Sequence, residues 1–414
     1  MKLLHAADLH VDSPLRGLSR YEGAPAEQLR DATRRALENL VDLAVAEEVT
    51  AVLLAGDVYD GDWPDYNTGL FFTRQMARLR EADIPVYLIA GNHDAQNSMT
   101  KTLSLPDNVH SFRTDRPDTV VDEARGLAVH GQGFARYDIT DNLAVHYPSP
   151  VPDLFNVGLL HTALNGREGH HHYAPCSIGD LVDRGYQYWA LGHVHRRRVE
   201  HDSDVKVVFP GNIQGRHARE TGPKGCTLVT VDDRHAVADL RHHDLDSTAR
   251  WHEARVDMAG ARDLDDACVL VAEQLAKEVD AATAPGRVHA VRVVAEGPTD
   301  AHHALHRDQE RFLNEVRSLA SQRGDVWIEK VRVKTAPPEE GPSAAQLAGL
   351  LGDLRRVGDL LSADPERLKQ LVGSSGLLGK LPSGVGARLQ RPDEQSRLAV
   401  EAVELLAAEL EGRR

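Results

Sequence analysis

Cysteine is nearly absent: Cys176, Cys226 and Cys268 are the only three in 414 residues, and each is far from the next. Without a paired spacing they build neither a disulfide framework nor a thiolate zinc cage, and they point to a reducing, cytoplasmic setting. Long apolar runs are missing too. Nothing approaches the roughly 18 consecutive apolar residues of a membrane span. Met1 to His10 has no basic head and no extended apolar stretch, so a signal peptide is not expected. Positive charge is also in short supply. The net charge is −15; residues 1–240 hold 24 basic against 34 acidic groups, and the rest holds 24 against 29. Neither half is a basic clamp, so tight unaided binding to duplex DNA is not expected.

What is present is enough for real cores. An apolar fraction of 41% in a 45.5 kDa chain suggests two or three domains. Residues 1–7 read as a strand ending at Asp8. Pro25 opens a helix to about Glu47 with Leu29, Ala32, Ala36, Leu40, Leu43 and Ala44 on one face. Val49 to Ala55 is a buried strand, Asn67 to Ala82 a helix, and Pro85 to Ala90 a strand. This alternation is that of an α/β layer. Strands at 119–122, 127–131, 155–161, 186–192, 205–209, 225–231 and 235–242 follow, an order that two stacked sheets with helices outside would accommodate. The pattern breaks around Asp244 to Arg250. A smaller α+β unit follows, with strands at 251–256, 287–295 and 325–335 and helices at 262–280 and 308–322. The proline-rich 336–342 is a linker, and helical segments come after it at 344–362, 364–372 and 393–411. The domain boundaries expected are 1–243, 250–336 and 343–414.

The apolar strands end in metal-ligand residue types: Asp8-Leu-His10, Gly56-Asp57-Val-Tyr-Asp60, Gly91-Asn92-His93-Asp94, His161, and Gly192-His193-Val-His195. Ligands at the carboxyl ends of sheet strands converge on one crevice, and neighbouring glycines let the backbone approach it. The residue types suit two divalent cations about 3.5–4 Å apart that clamp a phosphoester. A carboxylate can serve both ions, while imidazoles and an amide complete the shells without repelling phosphate. Each fragment alone is weak, because with 22 histidines a single strand-end histidine is more often structural. The ordered set of five is the signal.

That order resembles the calcineurin-like metallophosphoesterases and, within them, the SbcD-type DNA-repair nucleases, especially their YhaO-like branch. The runs Asp8-Leu-His-Val-Asp-Ser-Pro-Leu-Arg-Gly17 and Phe209-Pro-Gly-Asn-Ile-Gln-Gly-Arg-His217 favour that branch. The resemblance covers residues 1–242 strongly and continues more weakly through 251–335. It implies a four-layer αββα sandwich, a small α+β capping domain and a helical C-terminal tail. It implies that Asp8, His10 and His195 hold one metal, that Asp57 bridges, and that Asn92, His161 and His193 hold the other. His93 would face the substrate and protonate or stabilise the leaving oxygen, with Asp60 orienting it. The mixed donor set suits manganese, iron or zinc better than magnesium, and the family implies manganese.

The reading is therefore a metal-dependent phosphodiester hydrolase, a manganese-dependent DNA exonuclease acting in repair. The partners implied are DNA, an SMC-like coiled-coil ATPase of the SbcC type and a second copy of the chain, with no membrane. Alternatives are a phosphomonoesterase, a phosphodiesterase of small or cyclic nucleotides, and a non-catalytic scaffold for an ATPase. The acidic charge favours the small-substrate readings; the complete ligand set opposes the scaffold. Other features are weighed as bland. His170 to His172 reads as a solvated loop, and Arg196 to Arg198 as a loop or phosphate grip. Arg16, Arg216, His217 and Arg219 are expected to border the cleft. Asp12 would support the site, and His5 would be packed.

Overall fold

The computed structural model describes residues 1–13, 25–60, 66–96, 104–166, 173–280, 286–338, 344–374 and 391–411. Arg16 and His170 to His172 lie outside the described residues. Met1–Thr335 makes one compact unit and Ala336–Arg414 a second. Among the described residues, no helix is long and apolar enough to cross a membrane.

Two six-stranded sheets make up the first part. In the first sheet β1 (Lys2–Ala6), β2 (Ala51–Leu54), β3 (Val86–Leu88) and β4 (Val109–Ser111) run parallel. Two antiparallel strands, β11 (Gly225–Val231) and β12 (Val237–Asp244), close its other edge. The second sheet has the order β5 (Asp118–Asp122), β6 (Leu127–Gly131), β7 (Phe155–His161), β8 (Tyr188–Gly192), β10 (Lys206–Phe209), β9 (Arg198–Asp202). Its middle four strands are parallel. Arg198, read from sequence as part of a loop, opens the edge strand β9.

Successive residues of β1 face different cores, which is why that segment reads as a continuous apolar run rather than an alternating one. Leu3 lies between the sheets with Leu53, Ile89, Val129, Leu159 and Tyr188. Leu4 faces outward, against Leu37, Leu40 and Val41 of α1 (Ala26–Ala46) and Phe72 and Met76 of α2 (Asn67–Glu81). Each fully buried leucine of this kind contributes about 1.5–3 kcal/mol. The outer face of the second sheet is covered differently. Among the described residues, no long helix lies there. Tyr147, Tyr173 and Tyr186, with Leu181 of a five-residue helix (Ile178–Val182), pack on Trp189, Leu191 and Phe209.

The three-stranded sheet β13 (Ala249–Asp257), β14 (Val288–Pro298), β15 (Val326–Ala336) packs on α5 (Leu264–Asp280) and α7 (Gln309–Ser321), with α6 (His302–Arg307) between the last two strands. The start of this sheet joins the larger sandwich through a small cluster. Trp251, Val288 and Ala290 meet Leu29 and Ala32 of α1 and Ala218.

Among the described residues, the second unit has three helices, α8 (Ala344–Ser362), α9 (Pro365–Ser374) and α10 (Pro392–Glu411). They pack on one another: a Cβ on Gly358 of α8 would come within 2.7 Å of Val403 on α10. Leu368 and Ala407 are buried between them.

Candidate metal centre

The site is built where β1, β2, β3, β7 and β8 end. Strands stop there because the backbone leaves the extended region. Asp8, His10, Asp57 and His193 all have positive φ, at 52°, 43°, 53° and 101°. Such conformations cost non-glycine residues about 1–3 kcal/mol each and cluster where function requires them. The cost is offset by bonds that pin each turn. Asp8 donates its amide to Gly56, His10 to Asp57, and Val11 to Val58, so the loops after β1 and β2 run side by side. The amide of His193 donates to both carboxylate oxygens of Asp8, at 3.2 and 3.1 Å. Two glycines are required by close approach: a Cβ on Gly91 would collide with Oδ1 of Asp57, and one on Gly192 with the carbonyl of Ala55.

These turns bring donor atoms together. Nε2 of His10 lies 3.3 Å from Nε2 of His195, and 3.9 Å from Oδ2 of Asp57. Nε2 of His195 is 3.7 Å from Oδ1 of Asp8. On the other side, Nε2 of His161 is 3.5 Å from the same Oδ2 of Asp57 and 3.0 Å from Oδ1 of Asn92. His193 packs edge-on against His161, ring centres 5.2 Å apart. Asp8, His10 and His195 thus form one grouping able to hold an ion, and Asp8, Asp57 and His161 another.

The donor set fits cations. Nδ1 of His161 donates to the Ala55 carbonyl at 3.0 Å, so in the neutral ring Nε2 carries the lone pair and faces the amide oxygen of Asn92. Nδ1 of His195 is held by Oε1 of Glu220 at 2.6 Å, which aims its Nε2 lone pair at the same space. His10 is fully buried, and its Nδ1 has no hydrogen-bond partner. Burial, with some relief from the Ala55 carbonyl, lowers His161 to about 4 and so keeps it in its neutral, ligating form. Burial also pushes Asp57 up to about 6 and Asp8 well above the usual carboxylate range, the latter further raised by Asp57 itself. Two buried carboxylates side by side are costly unless positive charge offsets them.

His93, on the short helix α3 (Asn92–Gln96), stands apart from this cluster. Its Nδ1 is 2.9 Å from Oδ1 of Asp60, and its ring meets that of His10 edge-on at 5.1 Å. Burial alone would lower it, but the Asp60 bond and the Asp57 charge raise it above the ordinary histidine value. His10, Asp60 and His93 also satisfy the geometry of an ion-holding group. Burial works to raise Asp60, yet the bond from His93, the charge of Arg216 and the Ser13 hydroxyl carry it well below the usual range.

The structure brings together in this crevice the seven expected ligand residues and the His93–Asp60 pair. Other residues matter that the sequence did not single out. Glu220 is the carboxylate that orients His195; it also accepts from Asn212 Nδ2 at 3.0 Å and the Arg216 amide at 2.8 Å. Burial would raise it, but the bond from His195 and the charge of Arg216 hold it well below the carboxylate range. Asp94 accepts from the amides of Gly91, Val58 and Tyr59, tying the loops after β2 and β3 together. Ser13 donates to Asp60 at 2.6 Å. Arg216, expected to border the cleft, instead reaches inside: Nη1 is 3.2 Å from Asp60 and Nη2 3.6 Å from Glu220. His217 and Arg219 are exposed. Asp12 turns away from this donor cluster to Arg34 and Thr68 on α1 and α2. His5 is packed beneath, between the Tyr188 hydroxyl and the Leu191 carbonyl.

Comparison with known proteins bears on the same residues. Residues 1–197 match the family profile of the calcineurin-like phosphoesterases, and residues 251–336 match that of the metallophosphoesterase YhaO middle domain. The chain is 37% identical over 268 residues to a Bacillus subtilis (strain 168) protein described as an uncharacterized metallophosphoesterase YhaO. That match covers 64% of this chain and 65% of the relative, just under two thirds of the relative's own length. Among solved structures, TT1561 of Thermus thermophilus is similar at 16% identity and TM-score 0.35, covering 59% of this chain and 98% of that one. A dimetal phosphatase from Danio rerio is similar at 12% identity and TM-score 0.35, over 56% of this chain and 93% of that one.

Proposed function

We propose, from the premise that residues 1–197 form a calcineurin-like phosphoesterase domain, that the chain is a two-metal phosphodiesterase whose substrate is nucleic acid. Asp8, His10 and His195 would hold one cation, Asn92, His161 and His193 the other, with Asp57 shared. Bound cations in such a site polarise the phosphoryl oxygens and lower the pKa of an attacking water. The observation that carries the reading is the pairing of that donor set with the His93–Asp60 dyad at its edge. With Nδ1 donating to Asp60, the other ring nitrogen of His93 carries a proton for the leaving oxygen when the ring is in its charged form. Asp60, kept ionised by Ser13 and Arg216, fixes the ring and favours its charged form.

Manganese is the proposed metal: the mixed carboxylate, imidazole and amide donors suit manganese, iron or zinc better than magnesium, and the family resemblance implies manganese among them. The finer reading is an exonuclease of the SbcD type, active in the cytoplasm in DNA repair, with a coiled-coil ATPase partner. That partner answers a physical need, since a chain of net charge −15 carries little positive surface to hold DNA. The same charge favours a second reading, a phosphatase or phosphodiesterase of small or cyclic nucleotides. One assay separates them: purified protein with Mn²⁺, offered end-labelled DNA, a chromogenic phosphodiester and a chromogenic phosphomonoester. Turnover of DNA ends above both small esters supports the nuclease reading. Turnover confined to the monoester overturns it.

A further inference from the structure

Strand β13 opens the small sheet, yet it is tied back to the loop of residues 211–222. Trp251 Nε1 donates to the Gly215 carbonyl at 3.0 Å. Gln214 Nε2 donates to the Ala249 carbonyl at 2.8 Å. The amide of Gly222 donates to the Trp251 carbonyl at 3.2 Å. Trp251 is 3% exposed and Gln214 2%, so these bonds are made away from water, where an unmade partner is costly. The fit is close: a Cβ on Gly215 would lie 3.0 Å from Cδ1 of Trp251 and 2.7 Å from the Glu220 carbonyl.

The other side of this loop carries Glu220 and Arg216. Apart from an isolated bridge between Asn212 and Ala7, the loop belongs to no helix or strand. Glu220 therefore takes its position from that bridge, from the ties just described and from its own bonds to Asn212 and Arg216. Glu220 in turn accepts Nδ1–H of His195, which sets the tautomer of that imidazole and aims Nε2 at the space shared with His10 and Asp8.

We propose that Trp251 is a positioning residue for the metal centre, acting through Gly215 and Glu220 on His195. The small sheet is then part of the machinery that sets cation affinity. Hydrogen-bond partners of metal-bound histidines commonly change affinity by about 10–100-fold when removed. Trp251 lies one step further out, and its removal should weaken one site by about threefold to tenfold while sparing the other. The inference rests on reading Asp8, His10 and His195 as cation ligands; it does not depend on the substrate being nucleic acid.

The test is calorimetric titration of the full chain with Mn²⁺ alone, for wild type, Trp251→Phe, Gln214→Leu, Glu220→Gln and the Trp251→Phe/Glu220→Gln double variant. Trp251→Phe keeps an aromatic ring and loses the N–H donor. Circular dichroism of the metal-free proteins reports folding; should Trp251→Phe not fold, Gln214→Leu breaks a neighbouring tie and carries the test. The expected result is selective weakening of one of two Mn²⁺ sites in each single variant. The double variant should bind no more weakly than Glu220→Gln alone, because both changes act along one path. Wild-type affinities in the folded tie-breaking variants, equal weakening of both sites, or fully additive losses in the double variant overturn the proposal. Failure of wild type to bind Mn²⁺ overturns the cation reading and this inference with it. DNA left uncut by a chain that does bind two Mn²⁺ leaves this inference standing and removes only the substrate reading.

Discussion

Nδ1 of His93 lies 2.9 Å from Oδ1 of Asp60, and the other oxygen of that carboxylate takes the Ser13 hydroxyl and the Arg216 guanidinium. Both oxygens of Asp60 are thus occupied, and the imidazole is held by an acid that cannot easily turn away. Its ring is about a third exposed, so it is open to a substrate.

His93→Ala should therefore keep the fold and both cations and lose about 10²–10⁴ in turnover, the range for a positioned acid or base. Asp60→Asn should lose less, since it only orients the ring. Metal content by atomic emission, measured beside the rate, decides the role. Loss of an equivalent of Mn²⁺ from His93→Ala would make His93 a ligand instead.

Oδ2 of Asp57 faces the imidazoles of both groupings, 3.9 Å from His10 and 3.5 Å from His161. Asp57→Asn should weaken both cation sites, whereas His195→Ala should weaken one. Equilibrium dialysis against Mn²⁺ counts the ions directly, and chelation of wild type should abolish activity until metal is restored. Two tightly held ions in Asp57→Asn would sink the shared-carboxylate assignment.

His5 gives a pH test away from substrate. Burial, only partly countered by the Leu191 carbonyl, lowers its imidazole from the usual 6.5 to about 3. Between those values the unfolded chain binds a proton that the folded chain does not, so His5 makes stability rise with pH. Its contribution is complete above about pH 6.5 and is lost progressively as the pH falls toward 3. The metal-free His5→Gln variant should lose less stability than wild type between pH 6.5 and 5, by a difference that steepens toward about 1.4 kcal/mol per pH unit at the acid end. Urea midpoints at matched pH provide the comparison. Parallel curves for the two proteins would show that His5 is not held neutral.

The residues of the crevice were legible in sequence because each lies at the end of a buried strand, and strand ends in an α/β layer share one edge. Asp8 and His10 announce themselves by position after Leu3, Leu4 and Ala6, and the glycines beside Asp57 and His193 mark where backbone must approach backbone. Glu220 gave no such signal. It sits in a loop without periodicity, 25 residues after the imidazole it orients, and only the fold brings them together. Arg216 was visible as a basic residue near the cleft, but not as the bridge between two acids. The second sheet's outer cover was also hidden. Tyr147, Tyr173 and Tyr186 come from irregular chain, where neither a helical nor a strand period exists to read.

The tail gives the last prediction. Short helices alone are marginal in water, so the apolar helices beyond residue 343 need a packing partner. They pack on each other, with Leu368 and Ala407 inside, and they leave much apolar surface uncovered: Leu360, Leu405 and Leu406 are 66%, 70% and 51% exposed. None of the residues in the metal centre belongs to this unit. A chain ending at Thr335 should therefore fold, bind Mn²⁺ as wild type does, and hydrolyse a small phosphodiester within about twofold of the full chain. If the uncovered leucines are where a coiled-coil ATPase docks, co-purification with that ATPase should be lost in the same truncation. Replacing Leu360, Leu405 and Leu406 by polar residues in the full chain should reproduce that loss without touching hydrolysis. A truncated chain that still holds the ATPase would place the docking surface within residues 1–335. A truncated chain that binds Mn²⁺ normally but turns over tenfold more slowly would instead give the helices a part in catalysis.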